Sequence, residues 1–209
     1  MQLSASITEV IDLSAVLASG LSGALLASQK RFDLGGLAFL TLVAGLGGGL
    51  LRDVLLQRGL PVALANPTYL LVIIAAAAIG YFFEKHVRRV LPALLVVDAA
   101  GLGLYAVIGC IRASQAGLRP LPTVLVGVLT AVGGGILRDV LAGEAPVIFQ
   151  REVYATAALL GSAGYVVLSR LGVGQEVAGA AGFASATGLR LVSVWRGWNI
   201  PRLGGPPEA

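Results

Sequence analysis

The stretch Gly47-Gly48-Gly49-Leu50-Leu51-Arg52-Asp53-Val54-Leu55 returns as Gly133-Gly134-Gly135-Ile136-Leu137-Arg138-Asp139-Val140-Leu141, each copy inside an otherwise apolar run. Three consecutive glycines strip a helix of side chains and weaken it by about 1 kcal/mol each relative to alanine. An Arg-Asp pair follows directly, where a membrane span ordinarily tolerates no charge. The likeness spreads outward from this motif. Asp12 and Asp98 stand 86 residues apart, as do Ser28-Gln29 and Ser114-Gln115, Gly47 and Gly133, and Arg52 and Arg138. The offset falls to 85 at Pro61-Val62 against Pro146-Val147 and at Tyr69 against Tyr154, and to 84 at Gly80-Tyr81 against Gly164-Tyr165. Two single-residue loop deletions account for that drift, so the chain is an internal duplication.

Composition sets the medium. Of 209 residues, 56% are hydrophobic and only 12% charged, with a mean hydropathy of +0.87. A soluble domain carries about 25% charged residues, so this chain reads as a polytopic membrane protein. Aromatics are few and 29 glycines are scattered through the apolar runs; small residues let membrane helices approach closely. One cysteine, Cys110, excludes an internal disulfide. With His86 as the sole histidine, no transition-metal site is expected. The net charge of +4 comes from loop residues and follows the positive-inside rule, so nucleic acid is not an expected partner. The amino end lacks a basic region, and Glu9 and Asp12 open the first apolar run, which therefore reads as a retained span.

Seven spans are predicted, at 9–28, 34–56, 67–83, 90–111, 119–141, 151–169 and 174–193. Lys30-Arg31-Phe32-Asp33, Asn66-Pro67, Glu84-Lys85-His86-Val87-Arg88-Arg89 and Arg119-Pro120-Leu121-Pro122 separate them. The organisation is an all-α membrane protein in one membrane domain, with repeat one at 9–83, repeat two at 90–169, a seventh helix at 174–193 and a Pro/Gly tail at 197–209. Each repeat holds three spans. That odd number sends the second copy into the membrane from the opposite side, giving inverted repeats about an axis in the membrane plane. The loops on the amino-terminal side contribute Arg58, Arg112, Arg119 and Arg170. The other side contributes Lys30, Arg31, Lys85, Arg88, Arg89, Arg151, Arg190, Arg196 and Arg202. Four against nine places the amino terminus outside and the carboxyl terminus in the cytoplasm of a plasma (inner) membrane protein.

The ionisable groups inside the spans are Asp12, Arg52, Asp53, Asp98, Arg138 and Asp139. Each costs about 2.5–3.5 kcal/mol at mid-bilayer unless paired or wetted. Arg52 and Asp53 are sequence neighbours pointing about 100° apart, so they are expected not to satisfy each other. The expected pairs are Asp12–Arg52 and Asp98–Arg138, with Asp53 and Asp139 left to face a polar path. The triplets Gly47–Gly49 and Gly133–Gly135 are expected to break the second and fifth spans near the midplane. Breaks there would free backbone carbonyls and create half-helix amino ends at Leu50 and Ile136. The alternative for the glycines is tight helix packing, as in Gly45-x-x-x-Gly49. Ser14, Ser19, Ser22 and Thr130 either line a path or bond their own backbone. Lys85, Arg88 and Arg89 could attract anionic lipid heads. No P-loop, catalytic dyad or cofactor box is present, and Gly101-x-Gly103 lacks the strand-turn-helix of a nucleotide fingerprint. Neither an enzyme nor a cofactor is expected.

Two copies of Gly-Gly-Gly-[Leu/Ile]-Leu-Arg-Asp-Val-Leu, each in the second of three spans and followed by a seventh span, resemble the prokaryotic relatives of the trimeric intracellular cation channels, across about residues 9–193. The resemblance implies a homotrimer in which each protomer holds its own pore for monovalent cations, mainly potassium. That pore would run between the second and fifth spans and be bent at Gly47, Gly48, Gly49, Gly133, Gly134 and Gly135. Asp53 and Asp139 would concentrate cations, while Asp12 and Asp98 would neutralise Arg52 and Arg138. Animal members carry a Lys-Glu-Val signature tied to phosphoinositide lipid, and this chain has none. The same bacterial domain is associated with glycine transport by alternating access of the repeats, in which the half-helix amino ends would hold a carboxylate and an aspartate the ammonium group.

Overall fold

Long apolar runs with few breakers fold as helices, because backbone groups in lipid have to be satisfied within their own segment. The computed structural model describes residues 5–57, 59–83, 91–150 and 153–198; Lys85, Arg88, Arg89 and residues 199–209 lie outside them. All regular structure among the described residues is helical: α1 Ala5–Gln29, α2 Leu34–Leu56, α3 Val62–Ala65, α4 Thr68–Phe83, α5 Leu91–Gln115, α6 Pro120–Leu141, α7 Val147–Gln150, α8 Val153–Arg170 and α9 Gln175–Arg196. The helices α1, α2, α5, α6 and α9 are long and apolar enough to cross a membrane, and α4 is a shorter apolar helix.

Local chemistry sets the boundaries. Asp33 caps α2 by accepting the Gly36 amide at 2.7 Å, and Gln57 ends that helix in the left-handed region at φ 50°. Pro120 opens α6, where its missing N–H costs nothing. Gly197 closes α9 at φ 63°, a conformation glycine adopts freely. Hydropathy marks the apolar run rather than the helix, so α1 begins at Ala5 instead of 9, α5 continues to Gln115 instead of 111, and α9 to Arg196 instead of 193. Two one-turn helices, α3 and α7, follow Pro61 and Pro146 and are too short to register as spans.

The two halves pack alike. α1 lies on α2 and α4, and α5 lies on α6 and α8; α1 also packs on α5, α2 crosses α6, and α9 covers α5 and α8. The α2/α6 crossing is reciprocal. A Cβ added at Gly48 would sit well inside contact distance of the Thr130 carbonyl oxygen, and one at Gly134 would sit 2.5 Å from the Ala44 carbonyl oxygen. A Cβ at Gly47 would meet Leu137, and one at Gly133 would meet Leu51, both at 2.9 Å. Each pair maps onto the other by the 86-residue offset, which is the signature of a two-fold between the helices.

This crossing corrects the expected break. Both α2 and α6 run helical through their glycine triplets, so no half-helix amino ends form at Leu50 and Ile136 and no carbonyls are freed there. Gly48 and Gly134 lack side chains because a second backbone occupies that space, and Gly47 and Gly133 make room for the Leu137 and Leu51 side chains of the opposing helix. Serine and threonine mostly bond their own helices: Ser14 to the Val10 carbonyl at 2.7 Å, Thr130 to Val126 at 2.6 Å.

Candidate functional site

The buried charges gather into two clusters, one at each end of the α2/α6 pair. In the first, Asp12 of α1 accepts Nη1 and Nη2 of Arg52 at 3.0 and 3.2 Å. Both side chains are 1% exposed, and the two-point geometry is the one that best suits a guanidinium to a carboxylate. The Tyr69 hydroxyl of α4 donates to the same Asp12 at 3.1 Å. Arg112 of α5 brings Nη2 to 3.6 Å from Asp12 Oδ2. Tyr105 of α5 donates its hydroxyl to the Gly45 carbonyl in α2.

The second cluster repeats the plan. Nη1 of Arg138 donates to Asp98 of α5 at 2.6 Å and to the Ser22 hydroxyl of α1 at 2.7 Å. Tyr154 of α8, the counterpart of Tyr69, stands beside it: a Cβ at Gly135 would lie 2.9 Å from its hydroxyl. Arg190 of α9 stacks over the Tyr154 ring, 4.9 Å from its centroid.

Arg52 and Asp53 do meet, contrary to the sequence expectation. Arg52 Nε donates to Asp53 Oδ1 at 2.7 Å, and Arg138 Nε donates to Asp139 Oδ1 at 2.8 Å. The 100° between neighbouring Cβ vectors does not separate them, because the arginine stem is long enough to fold back, by Nε in Arg52 and by Nε and Nη2 in Arg138, while Nη1 and Nη2 of Arg52 and Nη1 of Arg138 reach across to other helices. The second oxygen of each aspartate is also engaged. Asp53 Oδ2 accepts the Val62 amide at 2.9 Å, and Asp139 Oδ2 accepts the Val147 amide at 3.0 Å. Both amides open the one-turn helices, so the motif aspartates tie the ends of α2 and α6 to the loops that follow. Asp139 is buried; Asp53 lines a cavity, yet neither is left as a free acid facing a path. Asp53→Asn and Asp139→Asn are each expected to cost about 1.5–3 kcal/mol, the value of hydrogen bonds to a charged group. Hydrogen exchange at Val62 or Val147 should accelerate in the matching variant, and unchanged exchange would remove the latch role.

A cavity of about 290 Å³ opens beside the first cluster, lined by Asp53, Leu56, Gly59, Leu60, Val62 and Arg112. Deeper in, a void of about 10 Å³ touches Asp12, Gly49, Arg52, Asp53, Tyr69 and Tyr105, room for about one water. Of the six glycines, Gly49 and Gly135 face the arginine and tyrosine side chains rather than the opposing helix.

Sequence reading missed Arg112 and Arg190 as site residues, because both were counted among loop charges. Arg112 belongs to α5 and reaches Asp12; Arg190 is 2% exposed within α9. The equal spacing of Tyr69 and Tyr154 was the signal for the two tyrosines.

The family profile described as "Glycine transporter" matches residues 9–85 and again 95–170, once on each half. The chain belongs to this glycine transporter family. Among its relatives is a UPF0126 membrane protein of Deinococcus radiodurans, 42% identical over 154 residues, or 73% of this chain and 72% of that protein. Another is the UPF0126 inner membrane protein YadS of Escherichia coli, 39% identical over 152 residues, or 72% of this chain and 73% of that protein. Like them, this member of the family is a membrane protein. Its fold is similar to that of the TRIC trimeric intracellular cation channel orthologue from Rhodobacter sphaeroides, with a TM-score of 0.88 and 41% identity, over 92% of this chain and all of that one.

Proposed function

We propose that this chain is a homotrimeric channel for monovalent cations, chiefly potassium, in an inner membrane, with one path per protomer beside α2 and α6. Helices α1, α2, α4, α5, α6, α8 and α9 cross the membrane, the halves 9–83 and 90–169 are inverted copies, and the amino terminus lies outside. The likeness at 41% identity to a cation channel orthologue, over nearly the whole chain, carries this reading. The paired clusters support it: they hold arginine and aspartate within the helices at two symmetric places, with an open cavity reaching one of them. Asp53 and Asp139 act as latches, and Asp53 also lines the cavity beside the path. Gly49 and Gly135 keep it narrow and free of side chains.

A second reading, transport of glycine, is favoured by the family's description and by one feature of the cavity. Asp53 and Arg112 share its lining, which suits an ammonium and a carboxylate on one small molecule. Single-channel recording of the purified protein in a planar bilayer separates the two. Unitary steps in asymmetric potassium chloride that reverse near the potassium potential, unaffected by added glycine, are the expected result. Electrical silence together with saturable glycine uptake into liposomes would overturn the channel reading.

A further inference from the structure

The offset that relates the two halves carries Leu26 of α1 onto Arg112 of α5 and Leu56 of α2 onto Ala142 of α6. These equivalent places have opposite character. Leu56 and Arg112 line the open cavity of about 290 Å³ beside the first cluster. Ala142 instead joins Ala27, Leu37 and Leu40 in an apolar cluster, with Leu26 packed against it. Two mouths matched in aspartate, arginine and tyrosine therefore differ in their extra arginine: Arg112 reaches an open cavity, whereas Arg190 is buried.

The charge of Arg112 is the least compensated in its cluster. Its contact with Asp12 Oδ2 is 3.6 Å long, and that oxygen already accepts Arg52 at 3.2 Å and Tyr69 at 3.1 Å. Its Nε has no hydrogen-bond partner among the described residues. The other acid of the cavity, Asp53, is engaged by Arg52 and by the Val62 amide. The second cluster has its own extra arginine, Arg190, but that side chain is stacked on Tyr154 and buried, whereas Arg112 is 27% exposed.

We propose that Arg112 makes ion passage through this otherwise two-fold path directional. It is a fixed, part-exposed cation at the cavity that lowers the local concentration of permeant cations there, whereas at the opposite mouth Leu26 takes its place, Arg190 is buried against Tyr154 and Lys30 is paired with Glu144. The inference rests on the channel reading. Cations entering from the Arg112 side carry less current than those entering from the other side. For a unit charge about 6 Å from the ion in a water-like medium, the effect is about threefold, and it fades as the screening length shrinks from about 30 Å at 0.01 M salt to about 3 Å at 1 M.

The test is the current–voltage curve of single channels in symmetric potassium chloride. Wild type is expected to rectify about two- to threefold at low salt and to become nearly ohmic at 1 M. Arg112→Gln should abolish the asymmetry, Arg112→Lys should keep it, and Arg112→Glu should reverse it. A cationic or an anionic thiol reagent on Arg112→Cys repeats the charge series on one folded chain, since Cys110 is buried, and one-sided addition identifies the mouth. An ohmic wild type at low salt, or unchanged rectification in Arg112→Gln, overturns the inference and leaves the channel standing. A wild type without unitary current overturns the channel reading and this inference with it.

Discussion

Gly48→Ala is expected to unseat the α2/α6 crossing, whereas Gly49→Ala, one residue along, is expected to be tolerated. A Cβ on Gly48 meets the Thr130 carbonyl oxygen, and its reciprocal on Gly134 meets the Ala44 carbonyl oxygen at 2.5 Å. Neither obstacle is a flexible side chain, so relief requires the helices to separate, and separation undoes their whole contact. Overpacking of this kind costs about 1–3 kcal/mol and occasionally more. The gain of about 1 kcal/mol in helix propensity on replacing glycine by alanine does not offset it. At Gly49 the nearest atoms are Arg52 Nη2 at 3.8 Å and the Tyr105 hydroxyl at 3.9 Å. These are ordinary contacts, so the propensity gain stands alone and the sign reverses. Thermal unfolding in detergent, followed by size-exclusion chromatography of the heated samples, reads both variants. Equal stability of the two would show that the glycines do not set the crossing. The Gly48→Ala/Gly134→Ala double variant should cost less than the sum of its parts, because both strain one contact.

The same triplets show where sequence reading stops. The duplication, the span positions and the equal separations of Asp12 from Arg52 and Asp98 from Arg138 all follow from spacing, and the folded chain joins both of those pairs. A run of three glycines, however, looks identical whether the helix breaks there or a second backbone arrives. Only the packing of α6 on α2 decides, and that is a property of two distant segments. The Arg-Asp neighbours were misread for a related reason: a Cβ direction does not limit where a long side chain ends. Arg112 and Arg190 sit within a turn or two of their helix ends, where hydropathy cannot tell a snorkelling arginine from one that turns inward to a partner. The one-turn helices α3 and α7 were invisible as spans, although Pro61 and Pro146 marked both places.

Asp12→Asn is expected to be among the most damaging single substitutions, and adding Arg52→Gln to it is expected to restore much of the loss. Asp12 accepts both terminal nitrogens of Arg52 and the Tyr69 hydroxyl, and lies against Arg112. Its loss leaves two arginines with Asp53 as the remaining acid, and an arginine keeps its charge at any working pH. Breaking a buried pair on one side costs about 3–5 kcal/mol because the surviving charge stays buried. Removing Arg52 as well takes that charge away, so the double variant should be more stable than Asp12→Asn alone, with a coupling of about 1–3 kcal/mol in thermal unfolding. The reversed pair, Asp12→Arg with Arg52→Asp, distinguishes an isolated bridge from a shared cluster. In an isolated bridge reversal restores the attraction. Here Asp53 already takes Arg52 Nε at 2.7 Å, so Arg52→Asp sets two acids side by side while Asp12→Arg faces Arg112. The reversed pair should therefore be less stable than the neutral pair. Full rescue by reversal would mean that Asp53 and Arg112 contribute nothing to the balance, and the four-residue cluster would reduce to a single salt bridge.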